Sequence, residues 1–200
     1  AVPSSSLGQR LRIIGRVDNF LTVLVTFFVG VGSLGLYTYI SVVLERVQVD
    51  TIPGMWIWGI GGAVGAFGIG RVLDKVDSSR KLTTIIIVLL AADFAMLLLF
   101  PSSRMVALVC LFAWGLLGWS SMAPQQHSML SANPDEGATA VAANASANYL
   151  GSAVGSAVGG LFLPSSTGIL LGALFVVLLG IVCSIGARAL SFPKPRDNES

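Results

Sequence analysis

ATAVAANASANYLGSAVGSAVGGLFL, residues Ala138 to Leu163, reads as an apolar helix with small residues along one side. At about 100° per residue, Asn144, Asn148, Gly151, Gly155 and Gly159 fall on one narrow face, with Ala147 at its edge. Such a face expects another backbone against it. In lipid the hydrophobic effect does not press helices together, so close van der Waals approach through small residues has to supply the attraction.

The rest of the composition fits that setting. The 200 residues are 54% hydrophobic and 11% charged, with a mean hydropathy of +0.82, which points to a chain solvated by a bilayer. A net charge of +2 with basic residues spread among turns argues against a nucleic-acid partner. Cys110 and Cys183 lie in apolar runs, and no Cys/His cluster suggests a metal, a cofactor or redox chemistry. The chain begins at Ala1 without a signal-peptide pattern and reads as a piece of a longer protein.

Working outward from the opening stretch, six apolar runs of about 20 residues or more are expected to span. They are approximately Phe20–Leu44, Pro53–Leu73, Leu82–Phe100, Met105–Gln125, the opening stretch, and Gly168–Leu190. Asp18 or Asn19 is placed to cap the first, and Gln126 to Gly137 reads as a polar loop. Residues 1–17 read as a linker, 18–190 as the membrane unit and 191–200 as a tail. Ten of the twelve Lys and Arg residues fall on one side, leaving Arg46 and Arg104 on the other, which predicts both termini in the cytoplasm.

Divided into triplets, the spans place a glycine row on each middle helix: Gly61, Gly65 and Gly68 in one, Gly151, Gly155 and Gly159 in the other. Odd triplets insert with opposite orientations, so the pattern is that of two inverted three-helix repeats, a construction common in secondary transporters. The match is one of pattern, not of aligned residues.

GRVLDKVDSSRK, Gly70 to Lys81, resembles the loop signature of the major facilitator superfamily, Gly-x-x-x-Asp-Arg/Lys-x-Gly-Arg-Arg/Lys. Gly70, Asp74 and Lys75 match it, Asp77 replaces the second glycine, and Arg80 and Lys81 arrive late. NASANYLGSAVGSAVGG, Asn144 to Gly160, is similar to the eleventh helix of arabinose-efflux and multidrug-efflux permeases in that superfamily, and GLYTYIS, Gly35 to Ser41, to their seventh. The resemblance implies an all-α membrane protein that is the C-terminal six-helix half of a twelve-helix permease. It further implies proton-coupled efflux of a small organic solute such as a drug or sugar, in a bacterial cytoplasmic membrane, without a cofactor. The implied partners are lipid, protons, substrate and the N-terminal half, which both glycine faces are expected to meet.

The site residues follow from the same resemblance. It implies a cavity lined by first and middle helices, making Tyr37, Trp114, Ser120, Asn144 and Asn148 substrate candidates, each with an alternative role in anchoring or packing. It implies that Gly70, Asp74 and Lys75 form a cytoplasmic gate and that Gly151, Gly155 and Gly159 let helices slide; the alternative for Asp74 is a solvated turn. Asp93 is the one acid deep inside a span, a proton-coupling candidate or a hydrogen-bonding residue between helices. Two other readings stay open: a stand-alone six-helix protein dimerising through its glycine faces, and an intramembrane serine protease using Ser120 with His127.

Overall fold

The computed structural model describes residues 15–190, and these form one bundle of helices. The expected linker before Gly15 and the expected tail after Leu190 lie outside the described residues. The first span comprises α1 (Val17–Val29), a π-helical turn (Gly30–Leu34), the short α2 (Gly35–Tyr37) and α3 (Ile40–Glu45). Then follow α4 (Thr51–Leu73), α5 (Ser79–Leu99), α6 (Arg104–Ser120), α7 (Met122–Ala132), α8 (Gly137–Gly159) and α9 (Ser166–Ala189). Ser78, Ser103 and Ser165 start α5, α6 and α9, each accepting a hydrogen bond from the amide three residues on.

Among the described residues, five segments are long and apolar enough to cross a membrane: 17–37, α4, α5, 104–132 and α9. Six were expected. The sixth, α8, has the length at 23 residues, but its Gly, Ala, Ser and Asn content lowers its apolarity. It packs along the first span, itself one of the five, with Ala140, Asn144, Ala147, Asn148, Gly151 and Gly155 buried.

Three local expectations change. The first span is not continuous from Phe20 to Leu44: it widens into the π turn and breaks at Thr38–Tyr39. Neither Asp18 nor Asn19 caps it, since Arg16 holds the N-cap position, Asp18 lies in the first turn and Asn19 is buried. The polar loop from Gln126 is helical as far as Ala132, because Gln125, Ser128 and Asn133 satisfy their side chains on the carbonyls of Ser121, Pro124 and Met129. Pro124 falls in the first turn of α7, where a missing N–H costs no helical bond.

The glycine rows meet this chain's own helices. A Cβ on Gly151 or Gly155 would collide with the carbonyl oxygens of Phe27 and Val31 in the first span. A Cβ on Gly61 or Gly65 would collide with those of Phe112 and Leu116 in α6. The expected outward-facing stripes are therefore internal seams, because only a glycine lets two backbones approach so closely. Gly159 packs on the Tyr39 ring, whereas Gly68 and Gly70 face open space.

These contacts align the repeats residue by residue. Phe112 and Leu116 each lie 85 positions after Phe27 and Val31, and Gly151 and Gly155 each lie 90 after Gly61 and Gly65. Gly30, under the Asn148 carbonyl, and Gly115, under the Trp58 carbonyl, obey the same two offsets. The pair formed by the first span and α8 thus repeats, inverted, as the pair formed by α6 and α4. The outer helices α5 and α9 pack on each other, joined by the Thr84 and Ser184 hydroxyls at 2.7 Å.

Candidate functional site

Where the two seams converge, the first span, α4, α6 and α8 leave a groove of about 120 Å³. Ser33 and Leu34 line it from the π turn, Trp58 from α4, Gly118 and Trp119 from α6, and Asn148 and Tyr149 from α8, with Val29 and Met122 completing the wall. Ser33 and Gly118 differ by 85 positions and Trp58 and Asn148 by 90, so the groove lies on the pseudo-twofold axis. The wall contains no Asp, Glu, Lys, Arg or His.

Its base is a polar seam between the first span and the antiparallel α6–α7 segment. Asn19, Thr26 and Ser33 recur every seven residues, which holds them on nearly one face of a helix. Asn19 exchanges side-chain hydrogen bonds with Asn133 at 2.9 and 3.2 Å. Thr26 meets both Gln125 and Asn144, the latter at 2.6 Å. Ser33 accepts from the Trp114 indole at 2.9 Å. The Thr22 carbonyl, at 3.2 Å, is a third acceptor, so the one Thr26 hydroxyl proton has three oxygens to choose among.

The structure separates the expected substrate residues. Asn148 lines the groove. Trp114 is fully buried beneath it, edge-on to Phe94 at 5.7 Å and to Trp58 at 6.1 Å, and Tyr37 stacks on Trp58 at 4.2 Å. Asn144 is fully buried in the seam, and Ser120 is buried beside Gly65. His127 faces the Ser79 hydroxyl at 3.3 Å.

Asp93 is buried between α5 and α6, away from the groove lining. The Cys110 thiol hydrogen-bonds to its carboxyl group, and Oδ2 has no partner among the described residues. Asp74 and Lys75 are exposed at the end of α4, and neither side chain has a hydrogen bond or ion pair among the described residues. The anchored charge in this turn is Arg80, which bonds the Ala187 carbonyl at 3.2 Å and Asp18 at 3.4 Å, tying α5 to the ends of α9 and α1. Arg16 in turn reaches the Ala132 carbonyl.

Trp58, Trp119, Ser33 and Tyr149 were not selected from the sequence. The usable signal was the repeat offset: Trp58 stands where Asn148 stands in the other triplet. Arg80 carried only a topology signal.

Residues 3–156 match the family model described as Major Facilitator Superfamily. The chain belongs to the major facilitator superfamily. It is an integral membrane protein of the transporter type. Within the matched residues fall the backbone contacts of Gly61, Gly65, Gly151 and Gly155 and every residue of the groove.

Proposed function

We propose that this major facilitator protein is an efflux permease, similar to the arabinose-efflux and multidrug-efflux group, that exchanges a small organic solute for protons by alternating access. The observation that carries this reading is the groove on the pseudo-twofold axis, where two oppositely inserted triplets meet and a change at their contact can switch access from one face to the other. The chain is the C-terminal half, its N-terminal partner closing the other side of the groove, and both termini lie in the cytoplasm of a bacterial cell.

Roles follow from position. Asn148 contacts solute; Trp114 and Tyr37 hold Trp58 in the wall; Asn144 and Ser120 keep the seams in register. Gly151 and Gly155 let α8 and the first span shift backbone on backbone, and Gly159 gives the Tyr39 ring room, once the Thr38, Tyr39 and Thr26 hydrogen bonds to α8 are released. Gly70, Asp74 and Lys75 form a turn free to take partners in the alternate state. Asp93, with one unpaired carboxyl oxygen in an apolar setting, takes and releases the coupled proton.

The test is reconstitution of the full-length protein in proteoliposomes. An imposed pH gradient should drive accumulation of solute, and solute counterflow should proceed without a gradient. Counterflow without a pH response would remove proton coupling; neither activity across a broad solute panel would remove the permease reading.

A further inference from the structure

The groove is lined at equivalent positions of the two repeats by Asn148, a polar side chain that the protein leaves unused, and by Trp58. Asn148 is 8% exposed, and no hydrogen bond reaches its carboxamide among the described residues. It is among the residues lining the groove, and its Oδ1 lies beside Gly30 of the first span. Trp58, also 8% exposed, has a buried indole N–H without a partner. The third polar side chain, Ser33, is occupied by Trp114.

A carboxamide offers two donors and a carbonyl acceptor, and an unused one buried in an apolar wall costs free energy until something pairs with it. The aromatic side chains of Trp58, Trp119 and Tyr149 share the wall with it, an apolar surface that suits a flat ring. No carboxylate is present to hold a cation and no Lys, Arg or His to hold an anion, so a charged solute would lose hydration here without a counter-charge.

We infer that the wall contributed by this chain selects an uncharged, ring-bearing solute with one neutral polar group, such as an amide or hydroxyl, which pairs with the Asn148 carboxamide. Asn148 is the specificity residue, and Trp58, its repeat equivalent, faces the ring across the axis. This inference rests on the permease reading for the identity of the groove.

The experiment uses the purified full-length protein and four tritiated probes sharing one ring: naphthamide, naphthoate, naphthylmethylammonium and methylnaphthalene. In equilibrium dialysis, naphthamide should bind about tenfold more tightly than each of the other three, the scale of one well-made polar pairing. Asn148→Leu should bring naphthamide to the level of methylnaphthalene. Asn148→Asp should reverse the order in favour of naphthylmethylammonium. Equal binding of the charged and neutral probes by the wild type, or an unchanged preference in Asn148→Leu, overturns the inference, and the wild-type ranking alone decides it if both variants misfold. Counterflow in proteoliposomes separates the two readings. Selective binding with no counterflow defeats the permease reading and leaves the site. Counterflow of unrelated solutes without naphthamide preference defeats the specificity and leaves the permease.

Discussion

Asp93 is placed where a packing role and the proposed proton-coupling role can be separated by measurement. Its carboxyl group accepts from Cys110 across the α5–α6 contact with one oxygen, and the other stays unpaired in an apolar setting. Asp93→Asn keeps the shape and the acceptor facing Cys110 while removing the titratable group, so helix packing should survive. Transport driven by a pH gradient should then fall by about tenfold or more while counterflow continues, a split that a purely structural residue would not give. Equal loss of both activities would identify Asp93 as a packing residue. Ser33 offers a complementary case, because its hydroxyl is the acceptor for a fully buried Trp114. Ser33→Ala leaves that indole N–H unsatisfied and should cost about 1–3 kcal/mol, read as a lower melting temperature in detergent.

At the scale of elements, the glycine rows explain what was legible and what was not. Their spacing in α4 and α8 was visible in the sequence, because small residues every four positions can only make a face. The partner was not, since a row of glycines carries no side chain to say which backbone it receives. The partners' own signal is a carbonyl at Phe27, Val31, Phe112 or Leu116, which every residue type possesses. The π turn and the break at Thr38–Tyr39 were equally silent: Thr38 and Tyr39 are held by Ser156 of α8, a tertiary cause for a local departure. The same seams set a contrast in α8 and α4. Gly155→Leu should abolish folded protein, since even a Cβ there would strike the Val31 carbonyl, whereas Gly68→Leu enters open space and should leave both yield and melting temperature near wild type. Yield after detergent extraction, judged by gel filtration, decides between this internal seam and a face awaiting another protein.

In the whole molecule, the two triplets touch through a polar seam and are tied at one end by the hydrogen bond from Arg80 to the Ala187 carbonyl, while the Arg80–Asp18 pair braces the first triplet. Arg80 is half-buried and reaches Asp18 at the start of the first span and the Ala187 carbonyl near the end of α9. Any motion that parts the triplets at this end must break the Ala187 contact, so its loss should favour the conformation open at that end. Arg80→Ala removes the cation that both oxygens share, leaving Asp18 to the weaker 3.9 Å approach of Arg16. The buried Thr22 lines the small cavity beneath Arg80 and reports on opening when replaced by cysteine. Thr22→Cys should react with a water-soluble maleimide several-fold faster in the Arg80→Ala background, after subtracting the labelling of Cys110 and Cys183 measured in the parent protein. An unchanged rate would mean that the seam of Asn19, Thr26 and Ser33 holds the triplets together unaided and that Arg80 serves the fold of α5 alone.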